Sequence, residues 1–347
     1  MNAEPRHADD AGFEFPRRLI VAISSSAIDP LDGTGTPQAL KEHAAATAQA
    51  MLPLLLLDNQ LVITHGNGPQ VGKLLLASAV ARGRITPQSL DILVAQTQGG
   101  IAYLLAQAFE NALRAVGSPR HVVGLVTQVE VDPQDPAFAA PSKPVGPYFT
   151  QLEAQALAEQ FGVTVQEDGR AWRYVVPSPQ PRHICDISLV EALMCTRTVV
   201  VAGGGGGIPV VRDGIGCRRG VEAVIDKDLT TAAMADVLGI RDMMILTRVP
   251  RIALRYGRPD QQDLGRVSLS QMRRYRAEGH FPPRTMGPKV DAAIRFVEGG
   301  GRCAIITSLD QAVPALRGET GTHVVPDEWV DAPSAAAPVA GIAGAGA

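Results

Sequence analysis

The segment Gln60-Leu-Val-Ile-Thr-His-Gly-Asn-Gly-Pro-Gln-Val71 joins a β-rich apolar run to a helical pattern through a turn that contains two glycines. Similar apolar runs recur along the chain and alternate with longer stretches of helical periodicity. The candidate strands are Leu19–Ile23, Gln60–Thr64, His121–Thr127, Thr198–Ala202, Met243–Thr247 and Cys303–Thr307. Strands that alternate with helices predict an α/β fold with a mostly parallel sheet covered on both faces.

Several of the expected helices carry proline in their first turn, where a missing N–H costs nothing. The candidate helices are Pro37–Met51, Pro69–Arg82, Pro87–Val116, Thr150–Phe161, Lys227–Leu238 and Pro288–Glu298. A proline-rich segment at about 129–181 interrupts the alternation and is interpreted as a lid. We expect a disordered leader over 1–16, one domain over 17–330 and a disordered, low-complexity tail over 331–347.

The 347 residues are 46% hydrophobic and 19% charged with a net charge of -3, which is the composition of a globular protein. The mixed charges give no electrostatic footprint for nucleic acid. The longest apolar run, Met51–Leu57, is far shorter than the ~20 residues that cross a bilayer. Four widely spaced cysteines, and histidines without ligand spacing, indicate neither a disulfide framework nor a metal site. These features predict a cytoplasmic protein without a nucleic-acid partner or a membrane span.

Glycine accounts for 35 of the residues, above the usual ~7%, and it is clustered. Gly66 and Gly68 precede a helix, whose free N–H groups favour anions. The run Gly203–Gly207 follows another strand, and its expected use is to bring backbone N–H groups close to phosphate. With Ser24-Ser25-Ser26 after the first strand, these loops predict one ligand crevice at the carboxyl edge of the sheet. The alternatives are a plain turn for the first cluster and a flexible surface loop for the second.

Three lysines indicate what this crevice does. Lys227 and Lys289 stand in the first turns of helices, where a cation opposes the helix dipole, and Lys143 lies in the lid segment. Lysine is a compact point charge suited to phosphate oxygens, although each of these lysines alone reads more simply as a surface residue. Together with the glycine loops they predict phosphoryl transfer, which needs positioning and charge neutralisation more than covalent chemistry.

Seven segments, in the same order, resemble carbamate kinase, a branch of the amino-acid kinase superfamily, over about residues 18–325. They are Ile63–Val71, Thr127–Pro133, Lys143–Gly146, Val176–Pro179, Gly204–Val210, Val221–Asp228 and Met286–Val290. The resemblance implies a three-layer αβα sandwich with a protruding lid subdomain, homodimeric, that uses ATP/ADP with Mg²⁺. It also implies reversible phosphoryl transfer between carbamoyl phosphate and ADP, giving ATP and carbamate, in arginine metabolism or another carbamoyl-linked pathway.

The same resemblance implies roles for individual residues. The residues that contact or orient the transferring phosphoryl group would be Lys143, Lys227, Asp228 and Lys289, with Asp228 orienting the lysines. Gly66, Asn67 and Gly68 would lie at the acceptor end, and Gly204, Gly205, Gly206 and Gly207 would line the same crevice. The nucleotide-binding residues would be Thr247, Met286, Gly287 and Pro288.

The chain departs from the family pattern after its first strand. The family carries Gly-Gly-Asn there, whose backbone and amide hold the phosphoryl group, whereas this chain has Ser24, Ser25 and Ser26. If the glycines have positive φ, serine at these positions predicts strain on the order of 1–2 kcal/mol per residue. A comparable loss of transition-state donors costs about 10²–10³ in rate. Arg248, which follows Thr247 where the family has an acidic or small residue, is a second departure, on the nucleotide side.

Three hypotheses follow from these residues. The first is a carbamate kinase-like phosphotransferase, acting on carbamate or on a different small carboxylate-like acceptor. The second is a diverged paralogue of low or no activity that binds nucleotide or carbamoyl phosphate. The third is a dinucleotide oxidoreductase, suggested by the glycine-rich α/β pattern alone, and the absence of G-x-G-x-x-G argues against it.

Overall fold

The computed structural model describes residues 13–29, 35–169 and 171–330. Most of the expected leader and the whole of the expected tail lie outside the described residues. The strands are β1 (Arg18–Ile23), β2 (Gln60–His65), β3 (Val122–Gly124), β4 (Gln128–Val131), β5 (Lys143–Phe149), β6 (Val165–Asp168), β7 (Ala171–Val176), β8 (Pro181–Ile184), β9 (Val199–Val201), β10 (Ile208–Arg212), β11 (Arg218–Gly220), β12 (Asp242–Thr247), β13 (Ala253–Leu254), β14 (Gln262–Asp263), β15 (Arg266–Ser268), β16 (Cys303–Ser308) and β17 (Thr322–Val325). The helices are α1 (Pro37–Leu55), α2 (Gly68–Val80), α3 (Leu90–Ala115), α4 (Gln151–Phe161), α5 (Ile187–Met194), α6 (Lys227–Val237), α7 (Leu269–Ala277), α8 (Gly287–Glu298) and α9 (Ala312–Leu316).

A central sheet of eight strands, in the order β15-β17-β16-β12-β1-β2-β9-β3, forms the middle layer. Its central pairs are parallel, and the antiparallel pair is β16 with β17. Residues of β1 alternate between two apolar cores: Ile20 belongs to the core under α6 and α8, and Val21 to the core under α1 and α3. Both faces of the sheet are therefore covered by helices, as the alternation of strands and helices predicts.

Helix α1 runs further than its sequence indicates. The expected end was Met51, but the helix continues through Pro53 to Leu55. Leu54 and Leu55 are fully buried in the core, and their burial outweighs the hydrogen bond that proline removes in the last turn. Strand β3 is shorter than the expected run to Thr127 and ends at Gly124.

The segment at about 129–181 begins and ends at two strands that lie side by side. Strand β4 at its start pairs antiparallel with β8 at its end, within a four-stranded sheet of order β11-β10-β4-β8. Between them lie α4 and a separate three-stranded sheet, β5-β7-β6. We call the segment at about 129–181 the lid.

The lid contacts helix α2 through two glycines. A Cβ placed on Gly72 of α2 would lie 2.0 Å from the backbone nitrogen of Gly146 in β5. Gly146 itself has a φ of +75°, a conformation that side chains disfavour. Around this contact Val71, Val145 and Tyr174 form a small apolar core that joins the lid to the rest of the protein.

No helix within the described residues is both long enough and apolar enough to cross a membrane.

Candidate active site

The carboxyl ends of four neighbouring parallel strands bring the predicted loops to one edge of the sheet. In register, Ile23 at the end of β1 lies beside His65 of β2 and Leu246 of β12, and Ile63 of β2 lies beside Val201 of β9. The residues that follow these strands are Ser24, Gly66, Ala202 and, after β12, Arg248. The strand order thus forms a crevice from segments that are far apart in sequence.

Three segments of the chain meet at Gly66. A Cβ on Gly66 would lie 3.0 Å from the backbone nitrogen of Ser25 and 3.5 Å from Cδ of Lys227. The loop after β1, the turn after β2 and the start of α6 therefore meet at a point with no room for a further side chain.

Asp228 lies between two lysines. Its Oδ1 accepts a hydrogen bond from Nζ of Lys227 at 2.5 Å, and its Oδ2 accepts one from Nζ of Lys289 at 3.1 Å. The three side chains are largely buried, with exposed fractions of 3% for Asp228, 10% for Lys227 and 15% for Lys289. One carboxylate thus fixes two ammonium groups that come from the first turns of α6 and α8.

Lys143 is held by a different carboxylate. Its Nζ donates to Oδ2 of Asp226 at 2.9 Å, so the expectation that Asp228 orients all three lysines is wrong for Lys143. Asp226 is also the N-cap of α6, where its Oδ1 accepts from the backbone N–H of Asp228 at 2.9 Å. The ion pair that attaches the lid lysine to α6 was missed by sequence reasoning.

Burial and charge act in opposite directions on this cluster. Burial raises the pKa of Asp226 and of Asp228, but the neighbouring ammonium groups outweigh it and hold both pKa values below their ordinary range. Burial lowers the pKa of Lys227, and Asp228 offsets this only in part. For Lys289 burial again lowers the pKa, but Asp228 and Asp226 together raise it above its ordinary value.

Three ammonium groups therefore face two ionised carboxylates. The cluster therefore carries one net positive charge, in surroundings where water screens it poorly. Such a site favours an anion, and perturbed pKa values in a crevice make these groups candidates for a functional site.

The run Gly203–Gly207 is buried, so its interpretation as a flexible surface loop is wrong. A Cβ on four of its members would fall within 2.4 Å of an atom of another segment. The nearest atom belongs to His65 for Gly204 and to Asn67 for Gly205. It belongs to Ile225 for Gly206 and to Val129 for Gly207. The glycines let the run lie directly beneath the turn after β2, between that turn and the start of α6.

Hydrogen bonds within the protein fix this run. The N–H of Gly203 donates to Oγ1 of Thr127 at 3.0 Å, and the carbonyl of Gly204 accepts from Nε2 of Gln98 at 2.8 Å. Gln98 and Thr127 were missed by sequence reasoning. The available signal was Gln98 itself, which with Thr97 is one of two polar residues on the buried face of α3.

The turn after β2 is rigid as well. Asn67 is buried at the start of α2 and donates from Nδ2 to Oγ1 of Thr97 at 2.9 Å. Burial, the largest cause, lowers the pKa of His65 to about 4, so its ring is neutral, and Nδ1 lies 3.2 Å from the carbonyl of Gly66. Gly68 lies opposite the lid, since its Cβ would be 4.0 Å from the carbonyl of Pro144.

The serines after β1 do not have the strain that their sequence predicts. Residues Ser25–Ala27 form one turn of 3₁₀ helix, and the N–H of Asp29 donates to the carbonyl of Ser25 at 3.0 Å. Among the described residues other than glycine, positive φ occurs at Asp186, Arg197 and Arg255, so Ser24 and Ser25 both have ordinary backbone conformations. The Cβ of Ser25 lies beside the turn after β2, 3.2 Å from the position that a Cβ on Gly66 would take.

The expected nucleotide residues fall into two groups. Thr247 and Arg248 line a cavity of about 250 Å³ together with Ser24, Ser308 and Asp310. Met286, Gly287 and Pro288 do not line this cavity. Met286 is the N-cap of α8, and Gly287 and Pro288 are its first two residues, immediately before Lys289. Among the described residues, no three His, Cys, Asp or Glu side chains are grouped so as to hold a metal ion.

A family model, a curated relative and solved structures all match most of this chain. The model of the amino acid kinase family matches residues 17–308. Carbamate kinase from Thermococcus kodakarensis is 46% identical over 314 residues, covering 89% of this chain and 99% of that protein. A structure of carbamate kinase from Giardia lamblia bound to citric acid has a TM-score of 0.85 at 36% identity, covering 90% of this chain and 99% of that chain. Another, bound to AMP-PNP, has a TM-score of 0.81 at 37% identity, with the same 90% and 99% coverage.

Proposed function

Because the chain belongs to the amino acid kinase family, within its carbamate kinase branch, we propose that it transfers a phosphoryl group reversibly between carbamoyl phosphate and ADP. The observation that carries this proposal is the ion-pair cluster, in which Asp228 is bonded to both Lys227 and Lys289 while Asp226 holds the lid lysine, Lys143. A polyanionic substrate pair supplies the charge that this cluster lacks.

In the ATP-forming direction, an oxygen of the β-phosphate of ADP attacks the phosphorus of carbamoyl phosphate. The bond between phosphorus and the carbamate oxygen breaks, and its electron pair leaves with carbamate. Lys143, Lys227 and Lys289 neutralise the charge that spreads over the phosphoryl oxygens, and Asp226 and Asp228 keep these lysines in place. No covalent bond to the protein is needed, which agrees with a site made of charges and backbone.

The two substrates occupy different ends of the crevice in this proposal. Gly66, Asn67 and Gly68 lie at the acceptor end, where the buried glycine run Gly204–Gly207 supports them from below. Thr247 and the segment Met286–Pro288 lie on the side of β12 and α8 and bind the nucleotide. The AMP-PNP named for the Giardia carbamate kinase structure supports an adenine nucleotide here.

Magnesium fits this site as a companion of the nucleotide. The carboxylates of Asp226 and Asp228 are engaged by lysines, so the phosphates and water would supply most of the oxygen ligands that Mg²⁺ prefers. When bound, Mg²⁺ neutralises phosphate charge in addition to the lysines.

The wider properties of the protein are proposed from the same family membership. We infer a single domain over 17–330 with its lid at about 129–181, a homodimer, and a place in the cytoplasm. The length of the relatives supports the domain proposal, since the match covers 99% of the Thermococcus protein.

The test is ATP formation by the purified protein from ADP, Mg²⁺ and carbamoyl phosphate, followed by luminescence. We expect turnover that requires all three components and that is lost in Lys289→Ala but kept in Lys41→Ala, since Lys41 is an exposed residue of α1. Absence of turnover in a sample that binds AMP-PNP would instead support the diverged, non-catalytic paralogue. Turnover with another small carboxylate-like acceptor would replace the substrate but keep the reaction class.

A further inference from the structure

Arg284, in the segment between α7 and α8, contacts the lid. Its guanidinium donates to the backbone carbonyl of Glu167 and, at 3.0 Å, to Oε1 of Gln166. One of its nitrogens also lies 3.7 Å from Oδ1 of Asp168. All three partners belong to β6, which lies at the opposite edge of the lid sheet from β5. The lid therefore meets the segment before α8 as well as helix α2.

The segment that carries Arg284 is fixed to the beginning of α8. The N–H of Gly287 donates to the carbonyl of Pro282 at 2.8 Å, which closes a tight turn around Arg284. Arg276 of α7 donates to both carboxylate oxygens of Asp291 in α8, at 2.6 and 2.9 Å, and this pair joins the two helices. Arg284 is therefore held in a fixed position relative to the first turn of α8, which contributes a lysine to the ion-pair cluster.

The contacts at the two edges of the lid sheet differ in kind. At β5 the backbone of Gly146 packs directly against Gly72 of α2, beside the buried apolar core around Val145. At β6 the contact with Arg284 is polar, and 31% of the Arg284 side chain is exposed. Water competes for exposed ion pairs and hydrogen bonds, so these contribute little net stability. The contact on the α8 side therefore opens more easily than the contact on the α2 side.

Within the lid, further polar contacts link β6 to the strand that carries the site lysine. Asp168 pairs with Arg173 of β7 at 3.4 Å, and Arg173 donates to the carbonyl of Gly146 in β5 at 2.9 Å. Only 13% of the Arg173 side chain is exposed. Strand β5 begins at Lys143, so a continuous row of contacts crosses the lid sheet from Arg284 to this strand.

We propose that Arg284 is a positioning residue that holds the lid across the crevice, and that the nucleotide enters and leaves when the contact between Arg284 and β6 opens. This inference rests on the proposed function, in which the start of α8 binds the nucleotide. Loss of Arg284 shortens the time for which nucleotide stays bound, because the lid then opens more often. It leaves the charge cluster in place, since Lys143 is held separately by Asp226 at 2.9 Å.

The experiment measures the release of N-methylanthraniloyl-ADP, a fluorescent nucleotide, by stopped flow with excess ADP as the competitor. In Arg284→Gln we expect release to be faster by about fivefold or more, and the KM for ADP in ATP formation to rise by a similar factor while kcat stays within about twofold. Arg284→Lys keeps the charge and is expected to lie between this variant and the parent protein. The matched control is Arg274→Gln, since Arg274 is exposed on α7 and pairs with Glu278 at the end of that helix. This control is expected to release nucleotide as the parent protein does.

Gln166→Ala weakens the same contact from the lid side and serves if Arg284→Gln does not fold. It is expected to speed release, and Arg284→Gln is expected to add less in its presence than alone, because the two residues act through one contact. Fully additive effects overturn the inference.

The remaining outcomes separate this inference from the proposed function. Unchanged release in Arg284→Gln overturns the role of Arg284 and leaves the proposed function standing. A fall in kcat at constant KM also overturns that role, because it shows an effect on the chemical step rather than on the lid. A parent protein that does not bind the fluorescent nucleotide overturns the proposed nucleotide site, and this inference with it.

Discussion

Lysine is scarce in this chain, and its few positions are informative. The sequence contains 5 lysines and 27 arginines, so cationic surface positions are mostly arginine. Three of the five, Lys143, Lys227 and Lys289, meet in one ion-pair cluster. Lysine presents a compact point charge and arginine a planar fork, so the two are not interchangeable, and a chain that otherwise uses arginine has lysine at these three positions.

Replacing Asp228 by Asn is expected to lower kcat by about 10²–10³-fold and to change its pH dependence. The carboxylate of Asp228 raises the pKa of Lys227 against burial, so its loss lowers that pKa further. A lysine is charged below its pKa, and activity that needs the charge is lost as pH rises through it. The alkaline limb of kcat therefore moves to lower pH in Asp228→Asn.

Profiles of kcat against pH for the parent protein and the variant test this expectation. The control is Asp260→Asn, which removes an exposed carboxylate that pairs with Arg255 rather than with a lysine of the cluster. This variant is expected to keep the parent profile. An alkaline limb that stays in place in Asp228→Asn would show that Lys227 does not act through its charge.

The triple change Ser24→Gly, Ser25→Gly and Ser26→Asn is expected to raise kcat/KM for ATP formation. It removes the Cβ of Ser25 beside Gly66, and it leaves bare backbone that can approach phosphate. The gain is bounded by the about 10²–10³-fold that transition-state donors supply. Steady-state kinetics with carbamoyl phosphate measure it, and a fall in kcat/KM would mean that the serine hydroxyls serve a different acceptor.

Among the elements, helix α2 and lid strand β5 depend on each other through backbone contact. Gly72→Ala places a methyl group where Gly146 already lies, and backbone atoms cannot move aside as a flexible side chain does. We expect a loss of about 1–3 kcal/mol in the free energy of unfolding, because the apolar core around Val145 must open.

Urea denaturation measures the effect of Gly72→Ala. The control is Gly214→Ala in an exposed turn, where a Cβ meets nothing within 4 Å and no positive φ is required. There we expect no loss, or a gain of about 0.4–1 kcal/mol from a less flexible unfolded chain. Equal stability of the two variants would show that the lid does not rest on α2 in solution.

The central strands and most helices are predictable from sequence because local pattern alone specifies them. The expected run Met243–Thr247 differs from β12 by one residue, since a buried parallel strand reads as an uninterrupted apolar run. The small sheet of β4, β8, β10 and β11 is not predictable in this way. Its strands have only three to five residues, too few for a local period to mark them, and β4 pairs with β8 and β10 across long stretches of chain.

The candidate site likewise contains residues that local sequence motifs predict and contacts that only the folded chain creates. Lys227, Asp228 and Lys289 are found through motifs at the starts of helices, which are local features. The pairing of Lys143 with Asp226 spans 83 positions, and only the folded lid brings these side chains together. The contact between Ser25 and Gly66 likewise depends on the register of β1 against β2.

For the whole molecule, we expect sedimentation equilibrium to give twice the 36.6 kDa of one chain. Helix α3 leaves Ile92 and Tyr103 exposed by 45% and 58%, and burial of such apolar surface against a second copy stabilises a dimer. Tyr103→Glu is expected to shift the mass towards one chain. A parent protein that sediments as a single chain would contradict the homodimer.

The two ends of the lid are paired strands: Glu130 of β4 lies opposite His183 of β8, and Val131 lies opposite Pro181. The whole of 132–180 is therefore a cassette inserted between two paired strands, and a short hairpin turn is enough to close the gap it leaves. Lys143 belongs to this inserted segment, whereas its partner Asp226 belongs to α6, outside the segment. Grafting the cassette of a relative would exchange one cation of the site while leaving the sheet untouched.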